Sequence, residues 1–296
     1  MKYTLKEFQA EYPNDERCLE RLMEVQYGGT EITCPACGVA EAKFHLMRKR
    51  KAFACQECGR HIYPCAGTIF HKSRTPLTKW FLAMYLMTST RSGVAAKELE
   101  RALGVTYKCA WRMAHELRKL MASADYAGPL GGPGTHVEID ETRIGGVARG
   151  KGHARKDENK TILFGMVERD GKVRTGPVPD DTIYTLENII IENVTPDTVV
   201  TTDGHSAYGR LGRAYAHAAV NHMVGEYVRG IHHTNTIEGH WSHFKRAIKG
   251  THVHISGKHL WKYAAEFSYR RNYRLSHTTM FNRLVAAFAL PRLADA

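Results

Sequence analysis

The sequence lacks any long apolar run. Its most apolar stretch, WFLAMYLM at residues 80–87, is far shorter than the roughly 20 apolar residues that a membrane-spanning helix needs. Residues 1–17, MKYTLKEFQAEYPNDER, mix both charge signs and contain no apolar segment, which argues against a secretory signal peptide. We therefore expect a cytoplasmic protein.

Acidic residues are also in short supply. The chain has 30 Asp and Glu against 42 Lys and Arg, which gives a formal net charge of +12 at pH 7. Such an excess is typical of proteins that bind nucleic acids, although ribosomal and membrane-surface proteins share it. The charge therefore favours a nucleic-acid partner without identifying one.

Cysteine is scarce, and the seven cysteines are too clustered for a disulfide scaffold. Four of them form two CxxC pairs that are separated by 17 residues and each followed by a glycine: Cys34, Cys37, Cys55 and Cys58. This spacing predicts a structural Zn²⁺ site of the ribbon type. We expect Cys18, Cys65 and Cys109 to be ordinary core thiols.

The residues after the cysteine pairs predict a helical region. Thr75 and Pro76 are expected to be the N-cap and first residue of an apolar helix that extends to residue 89. Two more helices are predicted at about 95–103 and 106–121, joined at a glycine. The second carries four basic residues, which favour a helix-turn-helix over a hairpin that only packs: Lys108, Arg112, Arg118 and Lys119.

Composition divides the chain into four parts. We predict an N-terminal helix and zinc ribbon at 1–74, the helix-turn-helix region at 75–124, a Gly- and Pro-rich linker at 125–135, and a catalytic domain at 136–296. The last part has the order strand, hairpin, helix, strand, helix, a mixed α/β pattern that is compatible with an RNase H-like core. Within it, the basic segment 148–160 is expected to be a solvated loop.

Three carboxylates in this last part suit divalent-metal chemistry on phosphodiesters. Asp140 and Asp203 end predicted strands, and Glu238 lies on a later helix. Mg²⁺ and Mn²⁺ prefer oxygen ligands, and gathered carboxylates repel one another unless cations neutralise them. Glu138 is expected to share the strand face of Asp140, while Glu141 points to the opposite face. The chain's 17 histidines make the presence of His near these residues weak evidence by itself.

The helix that carries Glu238 has two distinct faces. At about 100° per residue, Ile237, Trp241, Phe244 and Ile248 form one apolar stripe that must face the core. The polar and basic residues gather around Glu238 instead: Asn235, Ser242, Lys245, Arg246 and Lys249. Surface ion pairing is the alternative explanation for this face, and the two strand-end aspartates favour a metal site over it.

Several motifs, in chain order, resemble the ISXO-like DDE transposases of bacterial insertion sequences. They are CPACG with CQECG, VEIDETRIGG, TTDGHSAYG, HTNTIEGHWSHFKRAIKG and YAAEFSYRRNYR, and together they extend over about residues 8–274. The resemblance implies a zinc ribbon ahead of an RNase H-like domain, with Asp140, Asp203 and Glu238 as the metal-binding triad and Lys245 as the basic residue after it. Some relatives have Asn in the third catalytic place. Both Asn235 and Glu238 are present here, and we expect Glu238 to be the ligand.

The resemblance also implies a reaction in two steps. Phosphodiesters at the element ends are hydrolysed with Mg²⁺ or Mn²⁺, and the freed 3′-OH then attacks target DNA. Terminal inverted repeats would be bound by the ribbon and helix-turn-helix of a homodimer or larger assembly located at the nucleoid. The residues expected to contact DNA are Lys108, Arg112, Asn235, Arg246 and Lys249. A nuclease without strand transfer and a DNA-binding regulator with an inert C-terminal domain are the two alternatives.

Overall fold

The computed structural model describes residues 3–48, 50–125, 128–145 and 160–290. The chain folds into two compact units, Met1–Ala124 with Tyr273–Ala296, and Asp125–Asn272. The basic segment predicted at 148–160 lies almost entirely outside the described residues. Among those that are described, no helix combines the length and the apolar character needed to cross a membrane.

The first unit begins with two helices and a small sheet. The helices are α1 (Leu5–Glu11) and α2 (Asp15–Tyr27), and the strands are β1 (Glu31–Ile32), β2 (Ala42–Met47), β3 (Ala52–Cys55) and β4 (His61–Ile62). The strands pair antiparallel in the order β1-β2-β3-β4. Gly38 and Gly59, each directly after a CxxC pair, have φ of +73° and +72°. Only glycine adopts this conformation at no cost, so the knuckle turns that the sequence predicted form here.

A helical core completes the first unit. It contains α3 (Leu77–Ser89), α4 (Ala96–Leu103), α5 (Tyr107–Ala124) and, from the far end of the chain, α9 (His277–Ala286). Helix α9 packs against α3 and α5. Its Phe281 ring lies 5.7 Å from that of Phe8 and 5.8 Å from that of Tyr12, between ring centroids. The last helix therefore belongs with the N-terminal unit, whereas the predicted domain 136–296 included its residues.

The start of α3 differs from the prediction. Pro76 occupies the N-cap position, without a side-chain cap bond, and the helix begins at Leu77. The cap comes from α2, because the carboxylate of Asp15 accepts hydrogen bonds from the amides of Leu77 (3.0 Å) and Thr78 (2.8 Å). A carboxylate at this end satisfies amides that have no partner within the helix and opposes the helix dipole. The predicted Thr75 cap was wrong because the capping group lies far away in sequence, on another helix.

In the part of the chain that the structure describes, the second unit contains a five-stranded mixed sheet with helices on both faces. Its elements are β5 (His136–Ile144), β6 (Thr161–Glu168), β7 (Val173–Val178), α6 (Ile183–Asn193), β8 (Val199–Asp203), β9 (Ala216–Val220), α7 (Asn235–Ala247) and α8 (Gly257–Tyr273). The strand order is β7-β6-β5-β8-β9. The β7-β6-β5 portion is antiparallel, and β8 and β9 add in parallel. This is the mixed α/β, RNase H-like arrangement that the sequence predicted.

Two apolar clusters cover the two faces of this sheet. Alternate β5 residues Val137 and Ile139 pack with Leu186 and Ile190 of α6. On the other face, residues of β5, β6 and β7 pack with the apolar stripes of α7 and α8. The linker predicted at 125–135 is partly built into this unit. Leu130 is buried and pairs with Val194 in an isolated bridge, so one buried leucine anchors part of a segment that composition marked as a linker.

Candidate active site

Four cysteine sulfurs converge between the knuckle turns of the first unit. The ligand atoms of Cys34, Cys37, Cys55 and Cys58 all lie within 4.8 Å of one another, and the Cys34 and Cys58 sulfurs are 3.7 Å apart. Tetrahedral Zn²⁺ with Zn–S bonds of about 2.3 Å places its sulfurs about 3.8 Å apart, so this set fits zinc. Backbone amides of Cys37 and Ala36 lower the pKa of Cys34 to about 6, which favours the thiolate that binds metal.

The other cysteines are not part of this cluster. Cys18 and Cys65 are buried, as predicted for core thiols. Cys109 is half-buried, and its sulfur lies 3.3 Å from the Thr75 hydroxyl.

Asp140 and Asp203 lie side by side where β8 ends, at one edge of the parallel part of the second unit's sheet. Asp203 ends its strand as predicted, whereas Asp140 is the fifth of the nine residues of β5, because β5 continues to pair with β6 as far as Ile144. Strands β5 and β8 run parallel, with Ile139 opposite Thr202 at the last matched position. Asp140 and Asp203 are the next residue on each strand. In a parallel pair, matched residues project to the same face from strands about 4.8 Å apart, which brings these two carboxylates together although they are distant in sequence.

Glu238 reaches the same edge from the first turn of α7. Its side chain is 45% exposed, and its Oε1 accepts a hydrogen bond from the Thr234 hydroxyl at 3.0 Å. The Nδ1 of His222 lies 3.5 Å from the same oxygen, and Tyr227 packs on the His222 ring with centroids 5.0 Å apart. Glu238 therefore has a defined orientation while its carboxylate remains open to solvent.

The three carboxylates are coupled electrostatically. Burial raises the pKa of Asp140 to about 8, and the negative charges of Glu141, Asp203 and Glu238 add to this rise. A hard divalent cation bound between these acids would offset their mutual repulsion. Among the described residues, only the four cysteines form a group of at least three potential metal ligands that could hold an ion as placed. The three carboxylates are therefore near one another without converging on a single point.

Two family models match this chain. The ISXO2-like transposase domain matches residues 129–272, and a transposase zinc-ribbon domain matches residues 13–61. The chain belongs to the ISXO2-like transposases. A protein described as an "Uncharacterized protein in transposable element ISH50" from Halobacterium salinarum is 27% identical over 279 residues, which cover 88% of this chain and 92% of that protein.

The matched ranges of this ISXO2-like transposase coincide with its two sites. The zinc-ribbon match includes all four cysteines, which supports a structural zinc. The transposase match includes Asp140, Asp203 and Glu238 and ends at residue 272, where the second compact unit also ends. Transposase domains imply DNA binding, and the basic side chains are the candidates for it.

The exposed face of α7 carries the predicted basic residues of the transposase. Lys245, Arg246 and Lys249 are exposed, and so is Asn235 at the first position of the helix. Ile237, Trp241 and Phe244 are buried as the helical wheel predicted. The helix changes to a π-helical turn at Ile248–His252, so Lys249 lies just beyond the regular α-helix.

The helix-turn-helix region differs from its prediction in one respect. Helices α4 and α5 are joined at Gly104, which has φ +57°, and Lys108 and Arg112 are exposed on α5. Arg118 is 2% exposed and belongs to the core of the unit, and Lys119 pairs with Glu116 at 3.2 Å. The basic residues of α5 that could reach DNA therefore lie in its N-terminal part, because the second half of this helix packs inside the unit.

Two side chains near the carboxylates were not singled out by sequence reasoning. Thr234 bonds Glu238, as described above. Tyr208, buried directly after β8, donates its hydroxyl to Glu141, which lies on the opposite strand face from Asp140 as alternation predicted. Burial raises the pKa of Glu141, and the charge of Asp203 adds to this. For Tyr208 the available signal is the TTDGHSAYG motif, in which this tyrosine closely follows the strand-end aspartate.

The histidines around the site have separate partners. His222 contacts Glu238, whereas His232 and His217 hydrogen-bond the hydroxyls of Thr201 and Thr202 at 3.1 and 2.9 Å. Burial lowers the pKa of both His232 and His217, which favours their neutral forms. Of these three, only His222 touches a residue of the triad.

Proposed function

We propose that this transposase is a DDE enzyme that hydrolyses phosphodiesters at the ends of an insertion sequence and joins the freed 3′-OH to target DNA. Asp140, Asp203 and Glu238 would hold Mg²⁺ or Mn²⁺. The observation that carries the proposal is that Asp140 and Asp203 lie on neighbouring parallel strands, with Glu238 of α7 close enough to act on Asp140 electrostatically. Burial, together with these neighbouring negative charges, raises the pKa of Asp140 to about 8. When bound, a pair of divalent cations activates the attacking oxygen and stabilises the leaving one.

The protein's own groups would orient the reacting DNA. Asp140 and Asp203 project from neighbouring strands of a rigid sheet, which holds their oxygens in a fixed geometry. Lys245 lies about two helical turns after Glu238 on the same exposed face of α7. An ammonium group at that position suits a phosphate next to the scissile one, and Arg246, Lys249 and Asn235 would extend the contact along the backbone.

We propose that the first unit recognises the element ends. The exposed start of α5 carries Lys108 and Arg112 together with two aromatic rings, Tyr107 at 50% and Trp111 at 37% exposure. This combination suits contact with both phosphates and bases in a groove. Two copies of the chain would hold two ends, so we expect a homodimer or a larger assembly on DNA, located at the nucleoid.

The test is an assay with the native element ends, a supercoiled target and Mn²⁺ or Mg²⁺. Wild type is compared with Glu238→Gln and with Glu192→Gln, which changes an exposed glutamate of α6 on the opposite face of the sheet. We expect cation-dependent cleavage and joined products from wild type and Glu192→Gln, and neither from Glu238→Gln.

Other outcomes discriminate between the alternatives. Nicked ends without joined products would support a nuclease, and binding without cleavage would support a regulator. Full activity in Glu238→Gln together with its loss in Asn235→Ala would move the third ligand to Asn235.

A further inference from the structure

Glu138 is a fully buried carboxylate two residues before Asp140 on the same face of β5. Its side chain is 0% exposed, and donor groups from several segments surround its two oxygens. A buried charge of this kind is costly unless it is fully hydrogen-bonded. Its partners come from outside β5, which indicates that Glu138 joins separate parts of the unit.

Glu138 caps the helix that carries Glu238. Its Oε2 accepts hydrogen bonds from the amides of Thr236 (2.7 Å) and Ile237 (3.2 Å), and its Oε1 accepts one from the Thr236 hydroxyl (2.8 Å). The helix's own N-cap residue, Thr234, makes no capping bond, because its hydroxyl donates to Glu238 instead. The carboxylate of a neighbouring strand therefore performs the capping, and the N-cap hydroxyl is left to orient Glu238.

Arg169 ties the segment before this helix to the same carboxylate. Directly after β6, it donates from Nε to Glu138 Oε1 at 2.8 Å, from Nη1 to the Ile231 carbonyl at 2.6 Å and from Nη2 to the His233 carbonyl at 3.1 Å. The planar guanidinium fixes three acceptors at once, which a lysine ammonium does with less geometric definition. Residues 231–237 are thus held against β5 and the end of β6 by one connected set of bonds.

These contacts relate the positions of two proposed metal ligands. Asp140 is two residues along β5 from Glu138, and Glu238 is two residues along α7 from Thr236. The Glu138–Thr236 contact is therefore a direct hydrogen-bonded link between the strand that carries Asp140 and the helix that carries Glu238. A shift of the helix start along the strand would move Glu238 by the same amount.

We propose that Glu138 is a positioning residue that sets the separation of Asp140 and Glu238 and thereby the affinity of the site for its divalent cations. The inference rests on the proposed function, since it takes Glu238 to be a ligand. Outer groups that orient metal ligands typically change metal affinity or activity by about 10- to 100-fold when removed.

The test uses Glu138→Gln, with Glu266→Gln as its matched control. Glu266 on α8 is also 0% exposed and also paired with an arginine, since Arg270 Nε and Nη2 lie 3.0 and 2.7 Å from its Oε1. Both variants remove a buried charge that an arginine balances, so both are expected to lower the melting temperature. Only Glu138→Gln removes an acceptor from the start of α7.

The decisive readout is Mn²⁺ binding by the full-length protein without DNA, followed by electron paramagnetic resonance. We expect the half-saturating Mn²⁺ concentration to rise at least about tenfold in Glu138→Gln and to stay within about twofold of wild type in Glu266→Gln. Cleavage by Glu138→Gln should recover in part when Mn²⁺ is raised, with affinity for the element ends unchanged. Equal Mn²⁺ affinity in the two variants would overturn the proposal.

A second variant keeps the test decisive if Glu138→Gln does not fold. Arg169→Lys retains the positive charge beside Glu138 but cannot span Ile231 and His233 as the guanidinium does, so it should also weaken Mn²⁺ binding. Unchanged Mn²⁺ affinity in folded Arg169→Lys would overturn the proposal.

Glu238→Gln, measured in parallel, distinguishes failure of the proposed function from failure of the positioning role of Glu138. If it binds Mn²⁺ like wild type, the proposed function fails and this inference with it; if it loses Mn²⁺ while Glu138→Gln does not, only the positioning role fails.

Discussion

Replacing Asp140 with asparagine should stabilise the protein in the absence of added Mg²⁺ or Mn²⁺ and at the same time abolish DNA cleavage. The physical reason is that folding buries this carboxyl among other acids, which raises its pKa from 3.8 to about 8. An acid whose pKa rises on folding destabilises the folded state progressively as the pH increases from the unfolded pKa to the folded one. Asparagine has nearly the same shape and no proton to lose.

The structure sets the size and the pH window of this effect. Each pKa unit corresponds to about 1.4 kcal/mol, so the full cost of ionising Asp140 in the folded state is about 5 to 6 kcal/mol as an upper limit. Water entry and side-chain relaxation reduce such costs, and we expect a gain of about 2 kcal/mol in the free energy of unfolding. The difference between variant and wild type should be absent below about pH 4, grow up to about pH 8 and then level off.

Hydrogen exchange of β5 and β6 peptides, followed by mass spectrometry, measures the free energy of unfolding of the second unit by itself. The ratio of exchange rates between Asp140→Asn and wild type at each pH removes the intrinsic pH dependence of exchange. Asp170→Asn is the control, because Asp170 is an exposed turn residue at φ +57°, where asparagine is well tolerated. Added Mn²⁺ should protect wild type and Asp170→Asn but not Asp140→Asn. A gain that is independent of pH, or equal in both variants, would refute the electrostatic reasoning.

Three further predictions concern packing, zinc and capping. Gly165→Ala places a methyl group 2.5 Å from the indole ring of α7 and should lower both the melting temperature and cleavage, while Gly176→Ala, with no atom within 4 Å of its Cβ, should change neither. Cys55→Ser should lose bound zinc in an elemental assay and unfold the ribbon, whereas Cys109→Ser should retain about one zinc per chain. Asp15→Ala removes both cap bonds of α3 and should cost about 1 kcal/mol in urea unfolding; an unchanged midpoint would contradict the assigned cap.

Predictions that depend on neighbouring residues along the chain agree with the structure. The apolar run after Pro76 predicted a helix that ends at residue 89, and α3 ends there. The wheel of α7 separated its buried stripe from its exposed basic face, because the same 3.6-residue period governs every amphipathic helix. The two CxxC pairs predicted the sulfur cluster, since each pair fixes two ligands within one turn of chain.

Long-range pairing was beyond this kind of reasoning. Strand β9, with the short sequence AHAAV, has no distinctive pattern and was not predicted. The predicted domain 136–296 included the residues of α9, because the partners of this helix, such as Phe8, lie at the opposite end of the chain. Arg118 was counted as a surface cation because charge alone does not reveal that its helix is packed on that side.

The sequence by itself determined the candidate residues for the chemistry: four thiols in two knuckles, two aspartates on strands and a glutamate on an amphipathic helix. These follow from residue type and short spacing, which act within a few residues of one another. Only the tertiary structure decided that Asp140 and Asp203 are neighbours and that Glu138 and Arg169 hold the start of α7. Strand register and buried hydrogen bonds depend on which distant segments meet when apolar surface leaves water, and no short stretch of sequence contains that information.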